Sequence, residues 1–409
     1  MNEEPKRTRV VVTVTGKDAP GVTAALAKVV ADNAATLVDI EQVVVQGQLT
    51  LCLLVEVDSA TAKGEPLLKD LLFRAKSLGM DLRFDVLDAD APTGPCGNDG
   101  VRYAVTAIGE HIDAHGVHVL TQAIADHGAN IEAIRRLSRA SLTSLEITAC
   151  LPGGTAKVHG LRGALVKAAM ENDFDVAVQR ERVTRRSKRL IVFDMDSTLI
   201  QMECIDELAR MHGVVDRVAG ITARAMAGEL DFEASLRERV GLLKGLDASR
   251  AFALAENLPI TEGAREMLAV LRKLGYRTGV ISGGFTFAAQ RLKEELELDY
   301  AYANELEVKE GVLTGRLVGT IVGPERKAEL LREIAAKEKI EMEQTIAVGD
   351  GANDLPMLEA AGLGIAFHPK PKLREAADTS VSRGGLDNIL YLLGLTSQEV
   401  ADLLEPQGG

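Results

Sequence analysis

An apolar strand pattern runs over Arg9–Thr15, and after a turn the spacing becomes helical from Gly21 to about Asn33. Two further strands are expected around Val38–Val45 and Leu49–Val57, then a helix from about Leu67 to Leu78 and a strand near Arg83–Leu87. The same order recurs beyond residue 100: a strand at Val101–Ile108, a helix at Gly116–His127, strands at Ile131–Leu137 and Ser144–Cys150, a helix at Val158–Asn172 and a strand at Asp175–Gln179. AlaAspAsn at 31–33 echoes AlaAspHis at 125–127, and ValThrValThrGly at 12–16 echoes ValThrAlaIleGly at 105–109. Each unit reads βαββαβ, which implies a four-stranded antiparallel sheet with two helices on one face. The expected domains are therefore 8–88 and 101–179, joined by a linker rich in Pro, Gly, Asp and Asn. A second linker covers 180–189, where six of ten residues are basic, and is expected to be a solvated connection rather than a nucleic-acid patch.

From Leu190 the pattern changes to alternating strand and helix. LeuIleValPhe at 190–193, ThrGlyValIle at 278–281, ThrIleAlaVal at 345–348 and LeuGlyIleAla at 363–366 are short apolar runs, as expected of parallel strands buried on both faces. They imply a doubly wound α/β domain over 190–395. Eighty-eight positions separate Asp194 from Ser282, far more than a βα connection needs. The excess, about 203–259, predicts a helical cap inserted over the carboxyl ends of the strands.

Composition narrows the class. Hydrophobic residues make up 46% and charged residues 26% of the 409, the balance of a soluble globular protein. The net charge of −13 and the absence of Trp argue against nucleic-acid partners. No apolar run reaches the ~20 residues of a membrane span, and the N-terminus carries no secretory signal pattern. Cys52, Cys96, Cys150 and Cys204 form no CxxC pair, so reduced thiols in the cytoplasm are expected.

The candidate chemistry gathers after the strands. Asp194 and Asp196 lie two apart, so on an extended backbone they point to the same side. Paired carboxylates repel and call for a cation, and a hard ion such as Mg²⁺ with oxygen ligands meets that need. GlyAspGlyAlaAsnAspLeuPro at 349–356 adds Asp350, Asn353 and Asp354; Ser282 with Gly283–Gly284 and Lys327 complete the set. Singly, each has an ordinary structural reading as a cap, a turn or a surface lysine. Together they share one sheet crevice, where such folds bind ligands.

These segments resemble the four motifs of the haloacid dehalogenase-like phosphatases. Residues 201–209 and 231–244 look like the cap of the phosphoserine phosphatase family, and the two N-terminal units look like ACT domains, which together resemble its long bacterial form. The resemblance implies hydrolysis of O-phospho-L-serine, the last step of L-serine biosynthesis, with Asp194 as nucleophile and Asp196 as acid and then base. It also implies Mg²⁺ held by Asp194, the Asp196 main-chain carbonyl and Asp350, with Asp354 orienting that set. Ser282, Lys327 and the main chain near Gly283 would hold the phosphoryl group, Asn353 would contact the substrate or the phosphate, and Glu203 and Arg239 would read the serine ammonium and carboxylate. The alternative is a phosphatase of another small phosphometabolite. The ACT-like units imply a homodimer and feedback by L-serine, for which Asp18 and Gly21 are the candidate positions.

Overall fold

The computed structural model describes residues 7–58, 65–87, 96, 100–138, 142–153, 157–370, 373–374 and 379–405. Up to Gly97 the chain forms one compact unit. In it β1 (Arg7–Lys17), β2 (Thr36–Val45), β3 (Gln48–Asp58) and β4 (Asp81–Leu87) pair antiparallel in the order β2-β3-β1-β4, with helices Val22–Asp32 and Glu65–Ser77. Alternation along β1 buries Val10, Val12 and Val14 against Leu26 and Leu71 of the two helices. The β2–β3 hairpin turns through Gln46 and Gly47, both at positive φ (51° and 75°), the backbone that matches strand twist in two-residue loops.

The second compact unit, from Asn98, holds the repeat and the α/β domain. The repeat consists of β5 (Gly100–Gly109), β6 (Asn130–Arg136), β7 (Thr143–Pro152) and β8 (Asp175–Arg180) in the order β6-β7-β5-β8, with helices Ala114–Asp126 and Val158–Glu171. It is joined firmly to the α/β domain. Gln179 Nε2 donates to Leu392 O at 2.9 Å, Ser382 N donates to Asp175 Oδ2 at 2.7 Å, and Ile108 and Ala177 belong to the core of the α/β domain.

Residues 180–189 depart from the solvated linker expected. Val183–Arg186 is a short helix, and Arg185 and Lys188 are buried. Arg185 is clasped by Glu146 of β7 and by Glu181, and Lys188 donates to the carbonyl of Glu343. The basic run faces acceptors from both neighbouring domains, so it folds into the seam between them.

The α/β domain carries a seven-stranded sheet of β9 (Leu190–Phe193), β10 (Arg277–Phe285), β11 (Tyr300–Lys309), β12 (Val312–Val318), β13 (Thr345–Gly349), β14 (Leu363–Phe367) and β15 (Ser380–Val381), ordered β12-β11-β10-β9-β13-β14-β15. The strands from β11 to β15 across the centre pair parallel. The edge strand β12 instead pairs antiparallel with β11 through a tight turn at Glu310 and Gly311, so the sheet is mixed rather than wholly parallel. Central β9 is buried throughout, which fixes the residues that leave its carboxyl end. The long connection after it supplies helices Cys204–His212, Val215–Met226, Phe232–Gly241 and Ala248–Phe252. Helix Ser397–Leu404 packs Val400, Leu403 and Leu404 on the same core. Cys52 and Cys204 are free. Among the described residues no helix is long and apolar enough to cross a membrane.

Candidate active site

The site begins where β9 stops. Asp194 N still donates to Val348 O at 2.8 Å, but the N–H groups of Thr198, Leu199 and Ile200 all return to Met195 O, and Ser197 has φ 58°. The extended backbone expected through Asp196 therefore gives way to a tight turn. Met195 still points into the core, and Asp196 faces the same crevice as Asp194. Asp196 Oδ1 accepts the main-chain N–H of Cys204 at 3.3 Å, at the start of the first cap helix.

Lys327 anchors the centre. It enters on helix Pro324–Glu338, whose first-turn proline costs no hydrogen bond, and its side chain is wholly buried. Its Nζ donates to Asp194 Oδ1 at 2.8 Å and to Asp354 Oδ1 at 2.6 Å. Burial works against this ammonium, but the charges of Asp194 and Asp354 outweigh it and raise its pKa. The other Asp354 oxygen accepts the N–H groups of Asp350 (3.1 Å) and Gly351 (3.0 Å). With both oxygens taken, Asp354 is suited to orient neighbours.

The acidic groups are under strain. Burial, then the charges of Glu203 and Asp194, push Asp196 up to about 8. Burial and Asp194 push Asp350 up to about 7, with Lys370 opposing. Burial and Asp194 likewise raise Asp354, against the pull of Lys327. Carboxylate oxygens of Asp194, Asp350 and Asp354 all lie within 4.8 Å of one another, and all three residues are buried. Lys327 and Lys370, the latter 2.9 Å from Asp350, do not offset the charge of Asp194, Asp196, Asp350 and Asp354 together, and a hard divalent cation bound by oxygen fits the donor set.

The opposite wall is the loop ending β10. Ser282 is buried, and its Oγ accepts Gly284 N at 2.9 Å, which leaves the hydroxyl proton free to donate. A Cβ on Gly284 would lie 2.7 Å from Asp196 Oδ2 and 3.1 Å from Ser282 Oγ, so glycine there permits the close approach of loop and carboxylate. Gly283 is held differently: its carbonyl accepts Asn304 Nδ2 at 2.9 Å, and a Cβ would meet Phe232 of the cap at 2.8 Å.

The cap supplies two opposite charges. Glu203 precedes helix Cys204–His212, and its Oε1 accepts from Ser197 Oγ and Lys370 Nζ, both at 3.0 Å. Arg239, half-buried on helix Phe232–Gly241, makes no ion pair among the described residues; its Nε reaches Ser235 O at 3.4 Å. Burial lowers its pKa, while the charges of Glu203 and Asp206 oppose that. Asn353 is half-buried beside Asp354 (3.4 Å). Thus the residues expected after β9, β10 and β13, the lysine and the two cap charges converge on one crevice.

Three contributors were not foreseen. Lys370 bridges Asp350 (2.9 Å) and Glu203, and Asn304 ties Gly283 to Val322, whose N–H it accepts at 2.8 Å. Phe232 lies under Gly283. The one available signal was Asn304, a polar residue inside an apolar strand.

Asp18 and Gly21 lie in the first compact unit. Gly21 stands at φ 91° as the N-cap of helix Val22–Asp32, with no side chain capping it. Pro20 precedes the cap. In the repeat, Asp113 caps the equivalent helix, accepting Gly116 N at 2.9 Å.

Residues 191–359 match the model of the haloacid dehalogenase-like hydrolases, and 8–85 and 102–179 each match an ACT domain model. The phosphoserine phosphatase SerB2 of Mycobacterium tuberculosis is 45% identical over 396 residues, 97% of this chain and 95% of that one. The phosphoserine phosphatase of Streptomyces coelicolor is 43% identical over 95% of this chain and 93% of its own. Among solved structures, a probable phosphoserine phosphatase from Vibrio cholerae, unliganded, is similar at TM-score 0.54 and 35% identity, covering 74% of this chain and 89% of that one. A haloacid dehalogenase family hydrolase from Salmonella enterica serovar Typhi aligns at TM-score 0.62 and 32% identity, covering 71% and 98%.

Proposed function

This chain belongs to the phosphoserine phosphatases, within the haloacid dehalogenase-like hydrolases, and on that premise we propose that it hydrolyses O-phospho-L-serine through a phosphoenzyme on Asp194. The observation that carries this reading is the buried trio in which Lys327 holds Asp194 Oδ1 at 2.8 Å and Asp354 Oδ1 at 2.6 Å. A carboxylate fixed by a buried ammonium at the end of the central strand is what attack on a phosphomonoester dianion needs.

Asp194 attacks phosphorus, and the bond from phosphorus to the serine oxygen breaks. Asp196, held protonated to about 8 by burial and its anionic neighbours, gives its proton to that oxygen. Asp196 then takes a proton from water as the water attacks phosphorus, and the bond to Asp194 breaks. Ser282 and Lys327 donate to the phosphoryl oxygens, and Asn353 stands beside them. Mg²⁺, held by Asp194, Asp350 and the Asp196 carbonyl, would supply further neutralisation of the phosphoryl charge. Glu203 pairs with the substrate ammonium and Arg239 with its carboxylate. The reading places the enzyme in the cytoplasm as a homodimer.

Phosphate release from a panel of phosphomonoesters, with and without Mg²⁺, tests it. Phosphoserine should give the highest kcat/KM; a tenfold better alternative would overturn the substrate assignment.

Regulation by L-serine at Asp18 and Gly21 is part of the same reading. It is supported by the uncapped helix start in the first unit, where free N–H groups suit a carboxylate, against the Asp113-capped start in the repeat. Asp18→Ala should weaken inhibition by L-serine with kcat unchanged; purely competitive inhibition, equal in both proteins, would refute it. A chain begun near Ser187 is a poor test, because Ile108 and Ala177 would leave the catalytic core.

A further inference from the structure

A second cavity lies away from the active site, at the seam between the second ACT domain and the α/β domain. Its volume is about 450 Å³. One wall is the end of β8 and the basic stretch after it; the other includes Leu355, Leu358 and Glu359 of helix Leu355–Ala360 and the start of β14. Five cationic residues line it, Arg162, Arg180, Arg182, Arg185 and Lys188, against two carboxylates, Glu343 and Glu359. Counting Glu146 and Glu181, which pair with Arg185 from just outside the lining, the cations still outnumber the carboxylates, in a chain whose net charge is −13.

The charges are not all accounted for by protein partners. Arg182 is paired with Glu343 at 2.8 Å. Arg185 is paired with Glu146 and Glu181, yet its buried Nε–H finds no acceptor among the described residues. Arg180, exposed at the end of β8, makes no ion pair among the described residues. Lys188 is buried, and among the described residues its one acceptor is the neutral Glu343 carbonyl. Burial lowers its pKa to about 8, with Glu343 opposing, so an anion beside it would recover the cost of keeping the ammonium buried.

We propose that this seam cavity is an anion site that takes a phosphate group, as inorganic phosphate or as a small phosphomonoester. Several converging guanidinium and ammonium groups favour a dianion with several acceptor oxygens. The volume admits a metabolite rather than a macromolecule. The far wall is the helix that continues directly from Asn353 and Asp354, so occupancy bears on the loop that carries Asp350.

Equilibrium dialysis of the full chain against radiolabelled inorganic phosphate tests the site. The wild type should bind one more phosphate per chain than the Arg180→Gln/Lys188→Gln variant. Arg180→Gln alone, whose exposed side chain makes no ion pair among the described residues, should weaken the extra site at least tenfold and leave kcat on phosphoserine within twofold. Glycerol 3-phosphate is the second arm. Displacement of the label from the extra site at lower concentration than phosphate itself assigns the site to phosphomonoesters, and weaker displacement assigns it to free phosphate. Equal stoichiometry in wild type and double variant, or an Arg180→Gln protein that binds the same number with the same affinity, would overturn the proposal.

Discussion

Arg239→Ala separates substrate reading from architecture. The guanidinium is half-buried on the cap helix, breaks no ion pair among the described residues when removed, and has one marginal bond, Nε to Ser235 O at 3.4 Å. Its charge is disfavoured by burial and only partly offset by Glu203 and Asp206 at longer range. The free enzyme therefore gains little from it, and the folding stability of the variant should change by under about 1 kcal/mol. In the proposed mode of binding, the same group faces the phosphoserine carboxylate in a desolvated crevice, where truncating one partner of a charge pair costs ~2–5 kcal/mol. At about 1.4 kcal/mol per decade, kcat/KM should fall by roughly 30-fold to a few thousand-fold. The assay compares phosphoserine with an aryl phosphate lacking a carboxylate, alongside a thermal melt. The aryl phosphate should lose less than about threefold, since in the proposed mode of binding only a carboxylate-bearing substrate engages Arg239. Equal losses on both substrates, or a large drop in melting temperature, would show that Arg239 serves the phosphate or the fold.

Two other perturbations test the geometry. Asp196 and Asp350 have folded-state pKa values raised to about 8 and about 7, so without a cation their contribution to stability is full below about 4 and lost as pH rises through 7 to 8. Chelator-treated enzyme should melt lower at pH 8 than at pH 5.5, and the rise in melting temperature given by Mg²⁺ should be larger at pH 8; an equal or smaller rise there would contradict the cation site. Gly284→Ala places a Cβ 2.7 Å from both Asp196 Oδ2 and Met195 Cε. Overpacking of ~1–3 kcal/mol should lower stability, and displacement of the acid should lower kcat by roughly 100-fold; a variant with near-normal kcat would mean that Asp196 tolerates displacement.

Much of this was legible because it is local. The βαββαβ repeat showed through alternation such as Val10, Val12 and Val14, and the buried strands of the α/β domain through unbroken apolar runs. The acidic motifs were legible because each comes directly after such a run. What escaped depends on partners distant in sequence. Arg185 and Lys188 read as solvated charges because Glu146 and Glu343, which bury them, lie 39 and 155 positions away. Lys370 meets Glu203 across 167 positions, and nothing near it marks it as part of the site. The antiparallel β12 was missed because the hairpin turn at Glu310–Gly311 resembles any short loop in composition.

The central claim is that Asp194 becomes phosphorylated by the substrate, and trapping that acyl phosphate tests it most directly. Enzyme mixed with phosphoserine and Mg²⁺, quenched in acid and reduced with borohydride, should carry homoserine at position 194 in a peptide mass map. Enzyme treated without substrate should not. Turnover with no modification at Asp194, or with homoserine at another aspartate, would contradict the account.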